Sequence, residues 1–265
     1  MTNVLVCIKR VPEVGGEVQL TADGQDVDAR HLGFMISGHE NCAVELAVRI
    51  ATGTGGSATV LTLGPHDAVE QLRTALALGC SAAVLVEADP AGYGPADVAR
   101  EIAAVVRAAE DEGPGYDLVL LGNDAADTGD FQVGIRLAYA LGRPVVNGVR
   151  TVEVAPGEGP GDDPAGVATA QVAGPDGVET YAVPLPAVVT VLEGGVEPRY
   201  PTITGRMKAK KVEIETVAPQ REPDGSGRVR LLLPPAQPTS VEVLGEGPDA
   251  AKAVVDLLEK LGVAR

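Results

Sequence analysis

The first 145 residues switch repeatedly between two hydrophobic periods, and this alternation constrains the fold more than any other feature of the chain. Short continuous apolar runs occupy residues 4–8, 59–63, 82–86 and 118–121, the pattern of strands buried on both faces. Between them apolar residues recur at helical spacing. One set is Ala43, Leu46, Ala47, Ile50 and Ala51; a second is Val69, Leu72 and Leu76; a third is Val98, Ile102, Val105, Val106 and Ala109. A fourth, after the last run, is Phe131, Gly134, Ile135, Ala138 and Leu141. Glycines punctuate the joins at residues 53–56, 64, 79 and 122. Strand–helix alternation with short connections predicts a mostly parallel sheet covered on both faces. Aromatic residues make up only 3% of the chain and Trp is absent, so the core must be built from Val, Leu, Ile and Ala.

The pattern changes after Pro144. Residues 149–154, 167–172 and 178–183 read as hairpin-like strands appended to the sheet, around a Pro/Gly/Asp loop at 155–166. Residues 187–192 read as one more buried strand. Residues 193–211 are polar and punctuated by Gly and Pro. Residues 217–240 carry repeated Pro and little periodicity, and read as an arm. Ala251, Val254, Val255, Leu258 and Leu261 mark a final amphipathic helix. There is no internal repeat of solenoid length.

Charge and cysteine usage exclude several function classes. The 265 residues carry 21 Lys+Arg against 37 Asp+Glu, a net charge of −16, which argues against nucleic acid or an anionic membrane as a broad-surface partner. The aromatic shortage argues against a stacking platform for single strands. Cys7, Cys42 and Cys80 are scattered and form no CxxC, which reads as cytosolic thiols rather than a disulfide frame or a zinc site. No basic leader precedes the first apolar run and no run approaches the length of a membrane span, so a cytoplasmic chain without membrane insertion is expected.

Two segments carry the candidate chemistry. In an open parallel sheet, ligands sit beyond the carboxyl ends of the strands. The loop from Gly122 to Gly134 lies at such an end and leads into a helix, so its small residues and the helix N-terminus suit a phosphate. Asp124, Asp127 and Asp130 count against an anion and suit turns or a helix cap equally well. Lys9 and Arg10, after the first strand, are either ligand cations or solvated. The Gly-rich stretch at 52–57 lies between a helix and the next strand, the wrong side for phosphate, and reads as a plain connection. No P-loop or GxSxG elbow is present. The second segment, residues 197–211, concentrates Arg199, Arg206, Lys208, Lys210 and Lys211 around Ile203 and Met207. It reads either as a solvated loop or as a docking surface with an apolar anchor.

With LVCIKRVP near the N-terminus, AVELAVRI at 43–50, LRTALALG at 72–79, DLVLLGND at 117–124, LPAVVTV at 185–191 and EPRYPTITGRMKAKK at 197–211, the chain resembles the electron transfer flavoprotein beta subunit family. The resemblance runs almost end to end. It implies a Rossmann-like α/β fold of the adenine-nucleotide alpha-hydrolase-like kind, with residues 1–215 as the nucleotide-binding domain and 216–265 as an arm and helix that wrap a partner. It implies no substrate chemistry in this subunit. An alpha subunit would carry the redox-active FAD, and the pair would shuttle electrons between acyl-CoA-type or other flavin dehydrogenases and an acceptor oxidoreductase. AMP would bind in this subunit, or a second FAD as in electron-bifurcating members; Gln132-Val133-Gly134 is shared with many of the latter. A stand-alone adenine-nucleotide-binding regulatory module of the same broad fold is the other reading left open. By family position the nucleotide would be lined by Cys7, Ser37, Gly38, His39, Glu40 and Leu63, and by the loop Gly122, Asn123, Asp124, Ala125, Ala126, Asp127, Thr128, Gly129, Asp130, Phe131, Gln132 and Val133. Residues 199–208 match the family's recognition loop, which implies docking through Arg199, Tyr200, Ile203, Met207 and Lys208. Ser37-Gly38-His39-Glu40 stands where the family commonly has Asn-Pro-Phe before its first helix.

Overall fold

A computed structural model describes residues 1–155, 166–235 and 242–263. Its centre is a nine-stranded sheet. In chain order the strands and helices of the first half are β1 (Val4–Cys7), the short pair β2 (Val11–Pro12) and β3 (Phe34–Met35), α1 (Gly38–Thr54), β4 (Ala58–Gly64), α2 (Val69–Leu78), β5 (Ala82–Glu87), α3 (Pro95–Glu112), β6 (Leu118–Gly122) and α4 (Val133–Leu141). The second half adds β7 (Val145–Ala155), β8 (Val167–Gly174), β9 (Gly177–Pro184), β10 (Ala187–Val191), α5 (Ile203–Ala209), β11 (Ile214–Val217) and α6 (Ala250–Lys260).

The sheet order is β11-β5-β4-β1-β6-β10-β7-β8-β9. Every neighbouring pair from β11 to β7 is parallel, and β7-β8-β9 is an antiparallel extension. The mostly parallel α/β sheet and its appended hairpin strands are therefore as the sequence predicts. Alternation along each central strand supplies the two faces. Val4 and Val6 pack with Val60, Leu118 and Leu120 under α1 and α2, through Ala43, Leu46, Ala47, Ile50, Leu72 and Leu76. Leu5 and Cys7 pack with Leu61, Val119 and Leu121 under α3 and α4, through Ala99, Ile102, Val106 and Leu137. Each fully buried aliphatic side chain contributes about 1.5–3 kcal/mol relative to exposure. Residues 52–54 end α1 and residues 55–57 form the plain helix-to-strand connection, with Gly55 in the left-handed region (φ 72°) closing α1 onto the Ala51 carbonyl.

Four features depart from the sequence pattern. First, α1 starts at Gly38, ahead of its apolar periodicity, because Ser37 and Glu40 form a capping box. Second, α4 starts at Val133 and leaves Phe131 outside it, largely exposed. Third, α5 occupies part of the polar stretch at 193–211; its apolar residues face outward, so it shows no inward periodicity. Fourth, the four-residue strand β11 pairs with β5 at the sheet edge, too short to announce itself by pattern. The Pro/Gly/Asp stretch at 156–165 lies outside the described residues.

Met1–Leu231 form one compact unit and Leu232–Arg265 a second, which contains α6. Residues 218–231, read from sequence as part of an arm, are tied into the first unit. Asp97 accepts from the Asp224 and Gly225 N–H groups, Glu101 from that of Gln220, and the Leu231 N–H donates to the Gly24 carbonyl. No helix among the described residues is long and apolar enough to cross a membrane.

Candidate functional site

After β1 the chain crosses to β4 and β5 on one side, and it returns through α3 to β6 on the other side of β1. The topological switch point therefore lies between β1 and β6, and the loops leaving their carboxyl ends diverge there. The loop after β6 meets the first turn of α1 at this place. A Cβ added to Gly122 would lie 2.8 Å from Glu40 Cγ and 3.4 Å from His39 Cβ, so only glycine fits. Cys7 ends β1 beneath them, buried. Burial first, and then the Glu40 charge, push its thiol far above the ordinary range, which disfavours the thiolate a nucleophile needs. Leu63, also buried, stands near the carboxyl end of the adjacent β4.

The loop acids that count against an anion are largely engaged. Lys9 Nζ lies 2.6 Å from Asp127 Oδ1, and His39 Nε2 lies 3.0 Å from Asp124 Oδ1. Arg10 stacks 3.2 Å from the Phe34 ring centroid. The two cations after β1 are thus neither simply solvated nor free. Asn123 turns inward: its Oδ1 accepts from Thr190 Oγ1 (2.7 Å) and from the Gly148 N–H (2.9 Å). The Gly129 N–H closes a turn on the Ala125 carbonyl, with Gly129 at φ 64°. Ala126, Thr128 and Asp130 complete the loop. Asp130 is not the helix cap: Gln132 holds that position, its side chain turns to Arg136, and no side chain caps α4. Gly134 lets α4 lie against β10, since a Cβ there would overlap the Thr190 methyl. The first-turn N–H groups of α4 therefore face the loop without a protein acceptor from a capping side chain.

Glu40 is the buried charge of the site. The Ser37 N–H and hydroxyl donate to its Oε2 at 3.0 and 2.9 Å, and the Lys9 N–H faces it. Burial outweighs these bonds and pushes its pKa up from 4.5 to about 7. Between those two values the folded chain keeps a proton that the unfolded chain has released. This group's contribution to stability therefore falls as pH rises through that window and is level above it. Glu40→Gln keeps an acceptor for Ser37 and removes the titration. Urea melts are expected to show the variant gaining on the parent between about pH 4.5 and about pH 7 and no further above that; parallel profiles would count against the burial argument.

The docking candidates sit elsewhere, on one segment. Arg199 reaches Glu45 on α1 with Nε at 2.8 Å and Nη2 at 2.9 Å. Burial alone would raise the Glu45 carboxyl; hydrogen bonds from Arg199 and Arg49 outweigh it and hold the pKa at about 2. Thr202 caps α5 by accepting from the Gly205 N–H, and Arg73 of α2 donates to the Ala209 and Val212 carbonyls. With that end clamped, Tyr200, Ile203 and Met207 stand 91%, 81% and 62% exposed, and Lys208 is exposed beside them. Ile203 and Met207 are one turn apart and share a face. Gly205 is where α5 touches α2: a Cβ there would overlap the Ala77 carbonyl oxygen. Gly205→Ala is expected to lift α5 and cost about 1–2 kcal/mol of stability, overpacking outweighing helix propensity. An unchanged thermal midpoint would show that α5 is not held there.

The capping box Ser37-x-x-Glu40 marks the true start of α1; its S-x-x-E spacing is the signal that could have found it and was passed over in the sequence. Glu45, Thr190, Gly148 and Glu193, which support the site from a distance in sequence, carry no local signal.

A parallel sheet covered on both faces, with loops and helix starts converging at its switch point, defines the doubly wound α/β class, whose ligands sit in that crevice. The electron transfer flavoprotein domain model matches residues 27–222. The chain is 33% identical over 245 residues to the electron transfer flavoprotein subunit beta of Syntrophomonas wolfei, covering 92% of this chain and 90% of that one. It is 31% identical over 269 residues to the Bacillus subtilis subunit beta, covering 97% of each, and 36% identical over 219 residues to that of Mycobacterium leprae, covering 81% and 78%. The chain belongs to the electron transfer flavoprotein family, among its beta subunits.

Proposed function

We propose that this chain binds AMP at the switch point, pairs with an alpha subunit that holds FAD, and serves as the non-catalytic half of an electron carrier. The carrier moves electrons between flavin dehydrogenases and an acceptor oxidoreductase. The observation that carries the nucleotide reading is the convergence of the loop after β6, the loop after β1 and the first turn of α1 around an uncapped α4. The residues fit the group. Lys9 and His39 draw Asp127 and Asp124 aside, leaving the N–H groups at residues 133–135 and the α4 dipole for phosphate. Cys7 and Leu63 supply apolar wall for the adenine. The flavin on the alpha subunit supplies the electron-carrying chemistry; this chain's part is to bind, orient and dock.

The docking part of the reading is supported by Tyr200, Ile203 and Met207. Clamped at Arg199 and Ala209, they present an apolar face that folding has not used, ringed by Arg206, Lys208, Lys210 and Lys211. An apolar anchor in a basic rim suits an acidic partner surface.

Co-expression with the alpha subunit tests the reading. A yellow heterodimer that releases AMP and one flavin on acid treatment is expected. Two flavins and no AMP would assign the bifurcating form. A colourless monomer, or a homodimer holding ATP without flavin, would overturn the carrier assignment.

A further inference from the structure

One side chain, His39 in the first turn of α1, touches both the loop at 122–133 and the segment that leads to α5. Its Nδ1 accepts from the Glu193 N–H at 2.9 Å, and its Nε2 lies 3.0 Å from Asp124 Oδ1. A ring that accepts at Nδ1 carries its proton on Nε2, so it donates to Asp124. Both nitrogens are thereby used by protein groups. Glu193 follows β10 and opens the stretch that runs through Arg199 into α5. Its carboxylate lies so close over Gly38 that a Cβ there would overlap it. Further along the same helix, Glu45 holds Arg199. At its start the loop is tied to β10, where the Asn123 N–H donates to the Val191 carbonyl and Thr190 donates to Asn123; among the described residues, His39 is what links residues 124–130 to the stretch from Glu193 onward.

We propose that His39 is a positioning residue through which a nucleotide in the loop at 122–133 sets the order of the docking segment from Glu193 to α5. The inference rests on the nucleotide reading above. A nucleotide that orders this loop fixes Asp124; a fixed Asp124 holds the ring; the ring holds the Glu193 backbone. The device is a two-bond bridge, so losing either bond breaks it. His39→Asn keeps an acceptor near the Nδ1 position and loses Asp124. His39→Gln keeps a donor near the Nε2 position and loses Glu193.

Amide hydrogen exchange on the full chain, in the assembly in which it purifies, tests the bridge. The nucleotide is stripped and AMP is added back until protection at 122–133 is saturated in each protein. In the parent, AMP is expected to slow exchange at 203–209 about five- to tenfold, at the low end of coupling between sites. Both variants are expected to need more AMP to protect 122–133, because Asp124 or the ring is released, and at saturation to leave 203–209 unchanged. A role confined to stability would instead shift both regions together, with or without AMP. If AMP protects 122–133 in the parent but not 203–209, the coupling is wrong and the nucleotide reading stands. If AMP still protects 203–209 in both variants, His39 is not the bridge. Absence of protection anywhere would overturn the nucleotide reading and the coupling with it.

Discussion

Asp97→Ala is expected to lower the unfolding free energy by about 3–4 kcal/mol, the range for removing one partner from a buried charged cluster. Asp97 is fully buried at the start of α3. Its carboxylate accepts from the N–H groups of Gly94, Asp224 and Gly225 at 2.9–3.0 Å and from Arg100 at 2.6 Å. Burial would raise its pKa, but these bonds outweigh it and hold the group below its ordinary 3.8. A depressed native pKa means that the stabilisation is fully present above 3.8 and drains as pH falls through the lower, folded value. Alanine leaves three backbone donors and a guanidinium without this acceptor. The segment from Gln220 to Leu231 should loosen with it, so faster proteolysis after Arg221 and Arg228 is expected alongside the shifted urea midpoint. A loss below about 1 kcal/mol would mean that water replaces the carboxylate freely and that the cluster does not hold this segment.

Ile203→Ala is the second large expectation, and it acts on docking. Under the proposed role, truncating the anchor is expected to weaken association with the partner dehydrogenase by up to about 2–3 kcal/mol, the hot-spot range. At 81% exposure the side chain contributes little to the fold, so thermal stability and nucleotide content should stay at parent values. The effect should appear as a raised apparent KM for the carrier in a dehydrogenase-coupled assay. An unchanged KM would remove the anchor, and a changed nucleotide content would move the effect from docking to folding.

Much of the architecture was legible because it is written in local periods. Val4-Leu5-Val6-Cys7 and Leu118-Val119-Leu120-Leu121 are apolar runs too short for a buried helix and read as strands buried on both faces, and the helical spacing of Val98, Ile102, Val105, Val106 and Ala109 marks α3. The loop at 122–134 could be singled out as a candidate ligand loop from its place after a strand. Its acids were not legible as paired, because Lys9 and His39 lie far away in sequence and reach Asp127 and Asp124 only after β1 and β6 become neighbours. The segment at 197–211 shows the same division. Its charges and apolar residues were plain, but its helix was not, because α5 turns its apolar side chains to solvent and rests on Gly205 and Ala209.

By itself the sequence determined the layered α/β core, the order of its elements, the two segments that carry the candidate chemistry and the family resemblance. These depend on short-range periodicity and on contiguous motifs. Only the tertiary structure decided which side chains meet: Asp124 with His39, Asp127 with Lys9, Arg199 with Glu45, and Asp97 with the backbone at 224–225. Each of these pairs charge or hydrogen-bonding groups across 85 residues or more, counting from 39 to 124, the shortest span. Such pairings are set by strand order and burial, which no local pattern encodes.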